Sequence, residues 1–269
     1  MGQGKRVWFA WIRVLRAASG LVEAGVCLTL ALAVAGFFGG LHWALDLLAH
    51  FRLQALVVLG LAGSLLLCIR RRAPWGLAAV AGAVVLAATL VPHLRQEGSP
   101  PEPGTATLRL LGYNVMSQNP EKARVLAYFT EQSADVVLLM EVTAEWVDAL
   151  APLAQIYPHR MAAIRSDNFG MLLLSKTPLL DKETHTLSPG VPMMEAQLEL
   201  SGRRLVIYGV HPVPPVGRQG SRDRGLYLDQ LGSRIAASPV ERVVVAGDLN
   251  ATPYSAAFRR FARPAGLCQ

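Results

Sequence analysis

Asp248 and Asn250 follow directly on the run Val243-Val244-Val245-Ala246-Gly247. A carboxylate and a carboxamide at this spacing can share a divalent cation and a phosphate. Asp supplies charge, and Asn supplies a neutral oxygen and an NH2 donor. On an extended chain both side chains point to one face. The same Asp-x-Asn spacing also suits a strand followed by an Asx turn, and this segment alone does not decide between the two. Three further segments end in the same kind of group. Residues 108–115 read as a strand that delivers Asn114, residues 135–141 as one that ends in Glu141, and residues 203–211 as one that ends in His211. If these strands are neighbours and point the same way, Asn114, Glu141, His211, Asp248 and Asn250 converge on one edge of a sheet core.

The elements that must position these groups read as alternating α and β. Val243 to Ala246 and Val136 to Met140 are runs that suit strands buried on both faces. Asn119-Pro120-Glu121 reads as a helix start, with Asn as cap and Pro at the first helical position. Thr143 is expected to cap a short helix reaching about Leu153. Residues 157–163 and 169–174 read as strands, the second introduced by Asn168. Ser201-Gly202 between residues 195–200 and 203–211 is a two-residue hairpin signal. A helix over about 221–237 leads into the Asp248 strand, and a last helix begins near Ser255 with Phe258 and Phe261 on one face. No internal repeat is visible.

Ahead of these elements the composition changes. Hydrophobic residues make up 52% of the chain and charged residues 17%, which is too apolar for an ordinary soluble domain. The excess lies in three runs, at about 20–41, 53–69 and 74–92, each near the length that crosses a bilayer. One signal peptide cannot account for three runs. Lys5, Arg6, Arg13 and Arg16 precede the first run, and Arg70, Arg71 and Arg72 separate the second from the third, whereas Arg52 is the one Lys or Arg between the first and second. Basic flanks mark the cytoplasmic side. The expected arrangement is therefore a multi-pass protein of the inner (plasma) membrane, with a cytoplasmic N-terminus and everything after Val91 outside the cytoplasm. Residues 42–50 between the first two runs suit either a short interfacial helix or a loop. Residues 1–95 are thus read as a membrane domain and 96–106, rich in Pro and Gly, as a linker. Residues 107–269 form the domain that carries the polar strand ends.

The net charge of +7 does not indicate a nucleic-acid partner. Of 26 Lys and Arg, 9 lie before Gly104, together with 4 of the 19 Asp and Glu, leaving +5 there and +2 in the remainder. Most of the basic excess is topological. Cys27, Cys68 and Cys268 have no spacing that suits a zinc site or a disulfide framework.

The words Gly112-Tyr113-Asn114-Val115, Met140-Glu141-Val142, Asn168-Phe169-Gly170, His211-Pro212 and Gly247-Asp248-Leu249-Asn250, in this order and spacing, resemble the endonuclease/exonuclease/phosphatase superfamily. The resemblance extends over about 107–268, and the preceding apolar runs resemble a bacterial membrane-anchored subgroup. It implies a four-layer α/β sandwich of two facing sheets with helices outside, and hydrolysis of a phosphoester with Mg2+ or Mn2+. By resemblance Glu141 is the direct metal ligand. Asn114 helps hold the metal site and a phosphate oxygen. Asp248, also near the metal, orients or deprotonates the attacking water. Asn250 holds a phosphoryl oxygen, and His211 donates a proton or hydrogen bond to the phosphate. Asn168 matches a family word as well, and equally suits a loop residue before a strand.

The family pattern continues with a further strand or two and a late Asp-His pair, whereas this sequence ends at Gln269 with no His after His211. The expectation is therefore a C-terminally incomplete sandwich, with activity in doubt for the chain as given. The phosphoester substrate is left open between nucleic acid, a phospholipid head group and a small phosphoester, and so is the oligomeric state. The competing reading is a non-catalytic, membrane-anchored binding protein that keeps the fold.

Overall fold

The computed structural model describes residues 3–69, 72–94 and 107–267. The linker expected at 96–106, Arg70, Arg71 and Cys268 lie outside the described residues. The chain divides into two compact units. One comprises Met1–Gly98, Thr252–Arg259 and Gln269, and the other Ser99–Ala251 and Arg260–Cys268.

The first unit is helical, with α1 (Gln3–Gly36), α2 (Trp43–Ala49), α3 (Arg52–Leu67) and α4 (Ala73–Leu94). Val26, Leu59, Leu66, Ala79, Ala83 and Leu86 form its buried apolar cluster. Small residues let α3 and α4 approach closely. A Cβ at Gly76 would lie 2.8 Å from the Leu67 nitrogen, and one at Gly63 would lie 3.0 Å from the Ala79 Cβ. Close backbone approach through small residues is the usual way apolar helices pack where water supplies no driving force. Arg72 donates to Glu23, tying the start of α4 to α1.

The three expected spans are only partly recovered. Ala17–Gly36 and Ala73–His93 are long and apolar enough to cross a membrane. The middle run is not one helix of that length: α3 has 16 residues, about 24 Å at 1.5 Å per residue, short of a hydrocarbon core of about 30 Å. It passes only when joined to α2 across a 59° bend. The first run was expected to continue to Leu41, but α1 stops at Gly36, ahead of turns over 37–41. Residues 42–50 resolve in favour of a helix, α2, whose first turn is capped by His42 Nδ1 accepting from Ala44 N at 3.2 Å.

The second unit holds two four-stranded sheets. In the first, β1 (Leu110–Asn114) runs parallel to β2 (Val136–Met140), which is antiparallel to β4 (Met171–Ser175), itself antiparallel to β3 (His159–Ala163). In the second, β5 (Asp181–Leu187), β6 (Val191–Leu200) and β7 (Arg203–Val210) form an antiparallel meander, and β8 (Val243–Gly247) joins β7 in parallel. β2 is buried throughout, and alternation sends its side chains to two different cores. Val136, Leu138 and Met140 meet Met194, Ala196 and Ile207 of the facing sheet. Val137 and Leu139 meet Phe129 and Trp146, carried by α5 (Lys122–Glu131) and α6 (Ala144–Ala149). α7 (Gly217–Ala236) buries Tyr227, Leu228, Leu231 and Ile235. The Tyr227 hydroxyl donates to Pro192 O of β6 at 2.9 Å. The chain thus forms a mixed α/β fold of two sheets with helices outside. A last helix, α8 (Ala256–Ala262), begins one residue after Ser255.

Several local expectations need correction. The helix predicted from Asn119-Pro120 starts at Lys122. Asn119 Oδ1 instead accepts from Glu121 N at 2.9 Å, a local Asx turn that competes with capping. The helix after Thr143 ends at Ala149 and is followed by a 3-10 turn over Ala151–Gln155, and Thr143 makes no side-chain cap. β5 was not anticipated, because Asp-Lys-Glu-Thr-His-Thr-Leu offers no apolar alternation and is mostly exposed. The hairpin at Ser201-Gly202 forms as expected, with both residues at positive φ, 52° and 74°, the requirement of a type I′ turn.

Candidate active site

The polar groups come together because parallel pairing aligns strand ends. β1 and β2 are parallel neighbours, so Asn114 pairs with Met140 and lies beside Glu141. β7 and β8 are parallel neighbours, so Val210 pairs with Gly247, leaving His211 and Asp248 next in their chains. The two sheets are stitched at this edge by the Asp248 N–H, which lies 3.0 Å from Met140 Sδ. Glu141, Asp167, Asn168, Phe169, His211, Pro214, Asp248 and Asn250 line one open cavity of about 540 Å³.

Glu141 is held from several sides. Asn114 Nδ2 donates to its Oε1 at 2.7 Å, and Ser117 N lies 3.3 Å from its Oε2. Asn114 is fixed in turn by Met116 N, which donates to Asn114 Oδ1 at 2.9 Å. Trp146 Nε1 donates to Met116 O at 3.3 Å, anchoring this loop to α6. Glu141 itself sits in the left-handed region at φ 62°, a conformation that costs a non-glycine residue about 1–3 kcal/mol and gathers at functional sites. Ser117 Oγ also donates to Asn168 Oδ1 at 2.7 Å, so Asn168 joins the group rather than serving as a bare loop residue.

Gly247 and Gly170 set the close approach. A Cβ at Gly247, where φ is 136°, would lie 1.9 Å from Val210 O, and one at Gly170 would lie 1.9 Å from Val142 O. Neither position accepts a side chain, which explains the glycines of the Gly-Asp-Leu-Asn and Asn-Phe-Gly words. After Gly247 the chain is not extended, contrary to the geometry expected from Asp-x-Asn spacing. Asn250 has φ 48°, and its N–H donates to Asp248 Oδ1 at 2.9 Å. The Asx turn and the shared cavity therefore coexist, and the turn brings both side chains to it. Asn250 Nδ2 donates to Pro212 O at 2.9 Å, and Arg224 Nη1 donates to Asn250 O at 2.7 Å.

His211 is 4% exposed, with its ring 5.7 Å from that of Phe169. Burial lowers its pKa from the usual histidine value, opposed in part by the charges of Asp248 and Glu141 and by a main-chain hydrogen bond at Asn168. Its Nδ1 is buried with no hydrogen-bond partner of good geometry among the described residues. Asp167, in the same loop, has a lowered pKa because it is bonded to the Arg165 guanidinium.

Ser117, Asp167, Phe169 and Arg224 support the site, and reasoning from sequence did not single them out for it. Phe169 stood inside the word Asn168-Phe169-Gly170 without a role of its own, and Ser117 and Asp167 lie within three residues of Asn114 and Asn168, so proximity to the motif words was the available signal. Arg224 had none, since its partner is 26 residues away. Among the described residues no group of three or more His, Cys, Asp or Glu side chains is arranged to hold a metal. Three carboxylates line the cavity, and with Asp167 paired to Arg165 the donor set left is Glu141 and Asp248 with amides, which suits a hard cation that keeps waters and takes substrate oxygens, as Mg2+ does. It does not suit an all-protein cage.

A two-sheet α/β sandwich with polar groups gathered at one set of strand ends defines a structural class. The chain belongs to its endonuclease/exonuclease/phosphatase family, whose model matches residues 111–268. Among solved structures, sphingomyelinase C from Streptomyces griseocarneus is 22% identical with a TM-score of 0.52, over 61% of this chain and 72% of that one. A mutant of beta toxin from Staphylococcus aureus with bound magnesium ions is 16% identical with a TM-score of 0.52, over 60% of this chain and 71% of that one. SmcL is 15% identical with a TM-score of 0.52, over 60% and 70%. At these identities the likeness is one of fold. No curated protein sequence matches the chain significantly.

Proposed function

We propose that the second unit is a Mg2+- or Mn2+-dependent phosphoester hydrolase. The observation that carries this reading is Glu141. Its carboxylate is oriented by Asn114 and Ser117 at the wall of a cavity that His211, Asp248 and Asn250 also line. A carboxylate held in this way suits a cation ligand. Glu141 is assigned as that ligand, with Asp248 as the second carboxylate near the cation and Asn114 as the residue that aims Glu141. A bound divalent ion would neutralise charge on the phosphoryl group and its departing oxygen.

The remaining roles belong to protein groups. Asp248 has one oxygen occupied by the Asn250 N–H, and its other oxygen is assigned to orient the attacking water and take its proton. Asn250 uses one amide hydrogen on Pro212 O and retains a second, assigned to a phosphoryl oxygen. His211, kept neutral by burial, is assigned to donate a hydrogen bond to the phosphate without adding an uncompensated charge. The neighbours' names include sphingomyelinase, but the substrate class of this chain is not fixed by that likeness.

Placement outside the cytoplasm is part of the proposal. It is supported by the basic flanks in the sequence, and by the Arg72–Glu23 pair, which joins the start of α4 to the first half of the apolar stretch Ala17–Gly36 of α1.

The test is hydrolysis of bis(p-nitrophenyl) phosphate by the full chain in detergent or nanodiscs. His211→Ala and Asp248→Asn are each expected to slow it about 10²-fold or more, the usual scale for a hydrogen-bond donor to developing charge and for a general base respectively. The double variant is expected to lose less than the product of the two, since both act on one transition state. Full activity in either single variant would remove that residue from the mechanism.

A further inference from the structure

Asp46 lies in the first turn of α2 and is 5% exposed. A carboxylate among apolar helices is costly to bury unless hydrogen bonds satisfy it. One of its bonds spans 210 residues of sequence: Ala256 N donates to Asp46 Oδ1 at 2.6 Å. Ala256 is the first residue of α8, so its N–H is one that the helix cannot bond itself. The hydroxyl of Ser255, fully buried, accepts from Phe258 N at 3.2 Å. Two side chains thus cap one helix start, and one of them comes from the apolar helices.

The surroundings hold Asp46 in place. A Cβ at Gly39 would lie 2.9 Å from Asp46 Oδ1, so the turn after α1 closes directly on the carboxylate. The Arg52 guanidinium stands 4.3 Å over the Phe37 ring and 5.4 Å over the Tyr254 ring. The His93 ring meets the edge of Tyr254 with centroids 6.1 Å apart. Residues from α2, α3, α4 and the turn after α1 therefore converge on 254–256, and Thr252–Arg259 belongs to the first compact unit. Only Ala251 separates that segment from Asn250.

We infer that Asp46 is a positioning residue for the proposed hydrolysis: by holding Ala256 it fixes the chain that leaves the Asp248–Asn250 turn, and so makes the apolar helical unit a working part of the active site. The inference rests on the proposed roles of Asp248 and Asn250. The Asn250 backbone is held at its N–H by Asp248 Oδ1 and at its carbonyl by Arg224. Downstream it is held by the capped start of α8. A small displacement of groups that act on the transition state costs rate more than substrate binding, so the loss of this hold appears in kcat.

Kinetics and hydrogen exchange of the full chain in nanodiscs test it. Asp46→Ala is expected to lower kcat for bis(p-nitrophenyl) phosphate about tenfold or more while KM stays within about threefold. It should also speed amide exchange over 248–258 and leave β2 and β6 protected. Asp46→Asn, whose side-chain oxygen still accepts, should keep kcat and exchange near the wild-type values. Ala256→Pro removes the donor instead, at a helix position where proline is tolerated. It should reproduce the kcat loss and add nothing to it in the double variant with Asp46→Ala. If Asp46→Ala fails to fold, Ala256→Pro decides alone. Wild-type kcat in either single variant overturns the inference, as do additive losses in the double variant, an Asp46→Asn variant as slow as Asp46→Ala, or exchange that quickens equally in both sheets. Absent turnover in the wild-type chain would instead strike the hydrolase reading. The exchange response, local or missing, would then decide whether Asp46 holds the turn.

Discussion

Glu141 concentrates the argument at the scale of single residues. It combines a left-handed backbone, a hydrogen bond from Asn114 at 2.7 Å and a cavity-lining carboxylate. Strain of this kind persists where the surroundings over-determine it, and here the surroundings are the fixed ends of β1 and β2. Gly247 is the matching constraint on the other sheet. Gly247→Ala would place a Cβ 1.9 Å from Val210 O at φ 136°, and backbone cannot yield cheaply. The variant is expected to lose on the order of 3 kcal/mol or more, read as a lowered midpoint in thermal denaturation followed by circular dichroism. An unchanged midpoint would mean that the β7–β8 junction is looser than described.

At the scale of elements, α7 ties the second sheet's site residues together. Tyr227 donates to Pro192 O and its oxygen meets the His211 main-chain N–H, while burial raises its pKa far above the usual phenol value. Arg224, one turn earlier, holds Asn250 O. Tyr227→Phe leaves both buried main-chain groups without that hydroxyl, and a loss of about 1–3 kcal/mol is expected, measured as a shift in the denaturation midpoint. A neutral substitution would show that α7 packs there without needing the hydroxyl.

The sequence made β2 legible because Val136-Val137-Leu138-Leu139-Met140 suits a strand buried on both faces, as it is; β8 was legible as a strand, but it is only half-buried along its length and not buried on both faces as its run of valines suggests. The sequence made the hairpin legible because Ser201-Gly202 tolerates positive φ. β5 was not legible, since its seven residues are mostly polar and exposed and owe their strand form to pairing with β6. The turn at Asp248–Asn250 was one of two open readings, and the extended geometry gave way because the Asn250 N–H finds Asp248 Oδ1. Arg224 was hidden for a related reason, as a long-range contact leaves no periodic trace.

At the scale of the whole molecule, the apolar helical unit and the family domain obey different packing rules. α1 and α4 supply two helices long and apolar enough to span, and α2 with α3 supplies a third only as a bent pair. If the basic flanks govern insertion, the Arg70–Arg72 segment is cytoplasmic and the linker before the family domain is outside. Reporter fusions are expected to read cytoplasmic at Arg72 and extracytoplasmic at Gly104. A cytoplasmic signal at Gly104 would reverse the proposed placement.

The claim on which the rest depends is that the Glu141 cavity binds the cation that drives phosphoester hydrolysis. The rate of bis(p-nitrophenyl) phosphate hydrolysis, followed against Mg2+ or Mn2+ concentration in the wild-type chain and in Glu141→Gln, tests it most directly. The account predicts a saturable dependence on metal that EDTA abolishes. It also predicts that the half-saturating concentration rises at least tenfold in the variant, about 1.4 kcal/mol or more of lost binding. A rate that ignores EDTA, or an equal midpoint in both proteins, would contradict it. Metal binding without any hydrolysis would leave the fold as a binding module.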